Sequence, residues 1–483
     1  MGRITSYFGL SDDKPHVIRL TSIAISLSTL MQATIAISTT FYLIFVAEAL
    51  GNGDFIVGMT LVAVLVVIQM TVQTTFDYPT GVIGDWIGQR YILATAFLTY
   101  AVAFYTVSLV TSTTPIGLLI LVYALMGFAS SQQSGALGSW FDNNWRVAMP
   151  EDEGRKQYGV LQGKWGMLSW LTNVLILIPG GILATVFARA WVFQVQSVLC
   201  VVIALASWRF VRNLPEAEQN RQSKPDIGEY FSLLREGVTY LFSSEYVKYL
   251  LIGSMLVNSV ISVWGNLILF PMYYTYLVSD VAVASFRTIV MVPLVVYSER
   301  SGVWAKRYDP EKWIPRFRFI QTCGAVFFWV FAVLMIVFQP PPANSPMIDY
   351  ILPGTDILLL RVPVASLVPV FLMVVMFFIG GAFLQLGGVL TSRVFVDAIP
   401  NRVRNGVYSL FPTVVLIFAI PQIAFFGWLI PLLGISTTLF LCGCISTIGV
   451  LMIRKGLSYP KPWLDDTAVS TEQEPGQELE DEH

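Results

Sequence analysis

The sequence predicts an all-α integral membrane protein of twelve transmembrane helices, arranged as two pseudo-symmetric six-helix bundles. Three observations predict it. Of 483 residues, 55% are hydrophobic and only 12% charged, with a mean hydropathy of +0.67, too apolar for a chain that must present a polar surface to water. The apolar residues gather in twelve runs, each near the roughly 20 residues a helix needs to cross a bilayer. The second half of the chain also repeats motifs of the first in the same order.

The opening MGRITSYFGLSDDKPHVIRL has no short apolar core followed by a small-residue cleavage site, so the first apolar run is expected to remain as helix 1. Helices 1 to 6 are predicted near residues 20–48, 55–79, 91–111, 116–141, 159–186 and 190–209. Helices 7 to 12 are predicted near residues 247–276, 278–300, 316–338, 362–392, 405–430 and 435–454. Pro179, Pro271, Pro293, Pro369, Pro412 and Pro421 fall inside them and predict kinks, which neighbouring helices accommodate in a membrane bundle. Cys200, Cys323, Cys442 and Cys444 all lie in apolar stretches and read as buried thiols rather than disulfides or metal ligands.

The connections alternate in character. One set is nearly free of Lys and Arg, and the other carries almost all of them, with only Arg189, Arg287 and Arg361 outside it. The positive-inside rule then places both termini and the basic loops in the cytoplasm, giving a multi-pass protein of the cell membrane. The expected organisation is a first bundle at 1–209, a linker at 210–246, a second bundle at 247–456 and a disordered acidic tail at 457–483. Within the linker, Ile227, Phe231, Leu234, Val238 and Leu241 have the spacing of an amphipathic helix lying on the inner membrane surface.

The repeat sets the symmetry. SGVWAKR at 301–307 follows helix 8 as TGVIGDW at 80–86 follows helix 2. Gln132, Gly135, Leu137 and Ser139 of helix 4 reappear as Gln385, Gly388, Leu390 and Ser392 of helix 10. Arg155 with Gly159-Val160 returns as Arg402 with Gly406-Val407. Two six-helix halves of equal orientation imply an axis along the membrane normal and a cavity between them.

With its glycines and charges set between two apolar runs, FDYPTGVIGDWIGQRY at 76–91 asks for more than a turn. Gly81, Gly84, Asp85, Gly88 and Arg90 there resemble the signature loop of the major facilitator superfamily, and Asp77-Tyr78-Pro79-Thr80 resembles the lead-in of its drug-exporter branch. Ile399-Pro400 followed by Arg404-Asn405-Gly406 resembles the family's junction before helix 11, and the likeness covers essentially the whole chain. The resemblance implies that Asp85 caps the N-terminus of helix 11, near Asn405, when the cytoplasmic side is closed. Such a contact is worth roughly 0.3–1 kcal/mol when exposed and about 2 kcal/mol when partly buried. Arg90 is expected to pair with Asp142, and Gly302, Lys306 and Arg307 form the second copy of the loop. Trp86 and Gln89 depart from the family pattern, and Lys306 replaces its second acid.

The resemblance also implies that helices 1, 4, 7 and 10 line the cavity. There they offer Gln32, with Thr29 and Tyr42, then Tyr123, Gln132 and Gln133, then Asn258, Ser262, Trp264 and Asn266, and finally Gln385. Uncharged hydrogen-bonding groups beside aromatic surfaces suit a neutral or weakly charged organic solute, because a buried fixed charge calls for a partner. The only histidines are His16 and His483, and the acids of these helices lie near their ends, so a proton is a weakly supported coupling ion. Asp77 and Arg287 are the candidate coupling or anion-attracting groups, with snorkelling of Arg287 toward the surface as the alternative.

No phosphate-cradling loop for an ATP-driven pump is present, and no constellation of His, Cys or paired acids for a membrane enzyme. The reading is a monomeric secondary carrier in a lipid bilayer, without cofactor, metal or nucleic acid, working by alternating access on a small-molecule substrate. Export of amphiphilic compounds is favoured by the lead-in. A nutrient or sugar-type uptake carrier and a non-transporting sensor are the alternatives.

Overall fold

A computed structural model describes residues 15–152, 156–219, 244–342, 344–351, 353–356, 358–398 and 401–461, together with the single positions 235, 239 and 242. The proposed amphipathic helix of the linker and the acidic tail lie outside these residues.

Helix 1 is built from Pro15–Ala36 and Tyr42–Leu50, helix 2 is Phe55–Ile87, and helix 3 is Gln89–Ser108. Helix 4 comprises Ile116–Gln133 and Ala136–Ala148, helix 5 comprises Lys156–Leu175 and Leu177–Phe187, and helix 6 is Arg189–Phe210. In the second half, helix 7 runs from Glu245–Val263 through a π-helical turn at Trp264–Ile268 into Leu269–Leu277, and helix 8 is Asp280–Ala305. Helix 9 consists of Pro310–Ile320 and Ala325–Val337, and helix 10 is Leu367–Ala398. Among the described residues, eleven helical segments are long and apolar enough to cross a membrane. The last of them holds two crossings, because Asn401–Leu457 bends at Gly434, whose φ of 78° and ψ of 169° are not helical. Helices 11 and 12 are its two limbs, and the crossings number twelve.

An even number of crossings puts both ends of the described chain on one face of the bundle, here called the terminal end; the opposite face is the distal end. At the distal end the proline-rich connection is more ordered than a loop. Met347–Ile351 (β1) and Leu358–Pro363 (β2) form an antiparallel hairpin. Arg361 lies opposite Asp349 across it, with Nη2 2.7 Å from Oδ2. The Arg361 guanidinium, hydrogen-bonded to it, holds the Asp349 carboxyl below the usual carboxylate range. One of the three arginines outside the basic loops thus has a local partner.

Each half has an aromatic centre. In the first, Phe41, Tyr42 and Phe45 surround Phe193 at centroid distances of 5.1–5.8 Å. In the second, Trp264 packs edge-on against Phe327, Phe328 and Phe331. The outward faces are apolar instead of charged. Leu98, Val102, Tyr105 and Leu109 of helix 3 are exposed at helical spacing, as are Val198, Val202 and Leu205 of helix 6. Such stripes, sterile in water, suit hydrocarbon.

Small residues set the closest helix approaches. Between helices 7 and 12, a methyl group built at Gly253 would sit 2.5 Å from the Gly449 carbonyl oxygen. Gly253→Leu is therefore expected to force these helices apart and destabilise the second half by about 3 kcal/mol or more, read as a lower unfolding temperature in detergent.

Helix 2 differs most from expectation. It continues through Pro79, Gly81 and Gly84 to Ile87, well past the predicted end at residue 79, and the chain turns only at Gly88, with φ of 105° and ψ of 136°. Most of the charged stretch is therefore helix, and the sharp turn belongs to one glycine.

Candidate functional site

Among the described residues, the atomic contacts between the two halves gather toward the distal end. Near the start of helix 2, Thr60 Oγ1 donates to the Gly427 carbonyl of helix 11 at 3.0 Å, and Gly427 gives room to Ala63. Where helices 5 and 8 cross, Gly181 faces the backbone of Asp280 and the side chain of Ala284, and Thr288 Oγ1 donates to the Val174 carbonyl at 3.1 Å.

Above this crossing lies an ion network that joins the halves. Arg189, at the start of helix 6, donates from Nε and Nη2 to both carboxylate oxygens of Asp280 at 2.8 Å, and from Nη1 to Glu48 Oε2 at 2.6 Å. The guanidinium also lies over the ring of Tyr274, 5.2 Å from its centroid. Side-chain exposures of 14% for Arg189 and 10% for Asp280 make this a largely desolvated, bidentate pair, the geometry in which an ion pair is strongest. Glu48 and Arg189 stand in the sequence as charges at helix ends, and nothing local in it pairs Arg189 with an acid 91 positions away. The distal end is closed by this bridge.

At the terminal end, the signature stretch lines a cavity of about 570 Å³ in the first half, with Asp85, Gln89, Asp142, Arg146 and Asn213 around it. Asp85 accepts Gln89 Nε2 at 2.9 Å. Gly84 makes room for that amide, since a methyl group there would lie 2.6 Å from Gln89 Oε1. Gln89, one of the positions that depart from the resemblance, thus supplies a partner for the acid of the loop. Burial raises the Asp85 carboxyl above its ordinary pKa, against the opposing effect of the Gln89 hydrogen bond. Asp142 accepts Arg146 Nε at 3.1 Å, and Arg90 donates to the Tyr91 hydroxyl at 2.6 Å. Helix 11 already starts at Asn401, and its side chains from 401 to 413 lie outside the described residues, so the Asp85 contact with that helix end does too. In the second copy of the loop, Lys306 and Arg307 are exposed just past helix 8, and the surroundings of Gly302 lie outside the description. Asp77 is half-buried on helix 2. Three residues on, Thr80 Oγ1 donates to the Ser131 carbonyl at 3.0 Å and ties helix 2 to helix 4.

The predicted cavity groups divide into two sets. Gln32, Gln133, Asn258 and Gln385 are half-buried, and Asn266 is exposed beside Gly265 on the π-helical turn of helix 7. Asn173 Nδ2 lies 3.5 Å from Gln32 Oε1, adding helix 5 to that group. Tyr123, Gln132 and Trp264 are instead packed within their own halves: Tyr123 against Tyr42, Gln132 accepting from Thr95 Oγ1 at 3.2 Å, and Trp264 in its phenylalanine cluster. Arg287 is half-buried on helix 8 beside the Tyr273 hydroxyl. A more deeply buried cation is Arg318 of helix 9, only 7% exposed. It falls just inside the predicted start of helix 9 at residue 316, in the basic run RFR, and reads there as one of the cations at the inner surface.

The family model described as Major Facilitator Superfamily matches residues 22–352. No curated protein matches the sequence. In fold, the chain is similar to a D-xylose–proton symporter, with a TM-score of 0.62 and 12% identity over 91% of this chain and 99% of that one. It is also similar to the nucleoside transporter NupG, with a TM-score of 0.58 and 12% identity over 92% of this chain and 100% of that one. The xylose transporter XylE from E. coli, in an inward open conformation, gives 0.57 and 12% over 90% and 95%. At this identity the likeness carries the fold alone.

Proposed function

The chain belongs to the Major Facilitator Superfamily and is a membrane transporter rather than an enzyme, and from that premise we propose that it carries a neutral, polar organic solute by alternating access between its two halves. The observation that carries the substrate class is the set Gln32, Asn173, Asn258, Asn266 and Gln385, five half-buried or exposed uncharged amides on helices 1, 5, 7 and 10; Asn258 and Asn266 each give one N–H to the Ser254 and Ser262 carbonyls and keep the other N–H and the amide oxygen. Amides that both donate and accept suit hydroxyl-rich or heterocyclic solutes. The nucleoside and xylose transporters of similar fold support this nutrient-type reading.

Export of amphiphiles loses part of its support, because Thr80 of the exporter-like lead-in has a structural task in tying helix 2 to helix 4. In our reading the terminal end is cytoplasmic, as the concentration of Lys and Arg there supports. Asp85 then acts as a reversible latch toward the start of helix 11 when the cytoplasmic side shuts, and the Arg90–Asp142 pair belongs to that same state. Flux of labelled pentoses, nucleosides and an amphiphilic dye in proteoliposomes, with and without a pH gradient, tests this. Saturable movement of a neutral solute is the expected result. Movement of the dye alone would favour export, and solute binding without flux under any gradient would favour a sensor.

A further inference from the structure

Helix 9 is broken midway. The segment Gln321–Gly324 leaves helical geometry, Cys323 takes a φ of 61°, and Thr322 N–H donates to the Gly380 carbonyl of helix 10 at 3.0 Å. Gly380 permits this approach, since a methyl group there would meet the Thr322 nitrogen at 2.7 Å. Beside the break sits the Arg318 guanidinium, buried between helices 9 and 10. Its Nε and Nη2 donate to Thr391 Oγ1 at 3.2 and 3.0 Å, and its Nη1 donates to Gln321 Oε1 at 3.3 Å. All of these acceptors are neutral, and among the described residues no carboxylate pairs with it.

Around the same point donors are in excess. Gln321 Nε2 is buried and has no hydrogen-bond partner; Thr322 Oγ1, also unpartnered, lies apart from it beside Gly380, about two turns of helix 10 from Gly387. A guanidinium has five N–H donors, so two of those of Arg318 are also unused. The C-terminal end of Pro310–Ile320 contributes a partial negative charge of about half a unit, which offsets part of the cation and satisfies none of these donors. Leaving a buried charge uncompensated, with the Gln321 amide unpaired beside it, is costly in a membrane interior.

We propose that the break in helix 9 holds a small inorganic anion, of chloride size, bound by the Arg318 guanidinium and the Gln321 amide. Gly387, which faces Arg318 and Gln321, lies roughly 160° around helix 10 from Gln385. The anion therefore sits behind helix 10, away from the solute-facing amides, and serves as a bound structural ion rather than the transported solute.

The test uses the full-length protein in detergent, unfolded thermally in sodium chloride and in sodium gluconate at equal ionic strength. The wild type should show a saturable rise in unfolding temperature with chloride. Gln321→Leu should raise the chloride midpoint about tenfold, as expected for one lost hydrogen bond to a charged group, and Arg318→Gln should abolish the response. Arg361→Gln, on the exposed hairpin, should leave it unchanged. Bromide in place of chloride should give an anomalous scattering peak at the break. Equal unfolding in both salts, or a chloride response that survives both Arg318→Gln and Gln321→Leu, would overturn the proposal, as would water alone at that point in a bromide-soaked crystal.

Discussion

Arg189→Gln is expected to open the distal end. The substitution removes both arms of the bidentate bond to Asp280 and the bond to Glu48. Two carboxylates are then left close together without their shared cation. Breaking a desolvated pair in this way costs about 3 kcal/mol, which shifts the ratio of closed to open distal ends on the order of a hundredfold. Transport by the variant should fall by at least about tenfold, since a carrier that cannot close one side spends little time in the other state. Glu48→Gln should have a smaller effect, because it removes one hydrogen bond and leaves the Arg189–Asp280 pair intact. Alkylation of a cysteine placed beneath the gate reads the change directly. An alkylation rate equal to that of the parent would mean the ion network does not hold the gate.

Asp85→Asn is the second large effect. It keeps the shape of the side chain and its contact with Gln89 while removing the charge that the latch requires. The expected loss of terminal-end closure is up to about 2 kcal/mol, a slowing of roughly thirtyfold at most, with expression unchanged. A pH dependence follows from the same group. Burial raises its pKa in the conformation described, so the folded state binds a proton at a higher pH than the unfolded chain does. This conformation therefore gains stability as pH falls through the raised value and loses that gain as pH rises. The latch, which needs the charged form, should weaken over the same acid window. The rate profile should show an inflection above the usual carboxylate range that is missing in Asp85→Asn.

Much of the architecture could be read from apolar run lengths and from the repeat, because a bilayer demands continuous helices of one length and a duplicated bundle leaves duplicated motifs. What escaped depends on contacts between distant residues or on the backbone. Helix 2 passes through its charged stretch because helix geometry tolerates solvated charges at a membrane surface, and the turn itself waits for Gly88. The early start of helix 9 does have a local signal. Asp309 accepts from the Glu311 N–H at 3.2 Å, with Pro310 in the first helical position, an ordinary helix-start pattern. Reading Asp309-Pro310-Glu311 that way would have placed Arg318 in the third turn of helix 9 instead of at its start. The Arg189–Asp280 bridge had no such signal, because it forms only when the two halves meet. Tyr123, Gln132 and Trp264 share residue types with cavity-lining groups, and only packing separates them from Gln385 and Asn266.

Alternating access requires the two ends of the molecule to move in opposite directions, and spin-label distances measure this without knowledge of the solute. One labelled pair at Asn52 and Val278 reports the distal end, and another at Ile83 and Val303 reports the terminal end, all four positions being exposed. In Arg189→Gln the distal distance should lengthen and the terminal distance shorten relative to the parent. Distances that stay fixed at both ends, or lengthen together, would contradict the account.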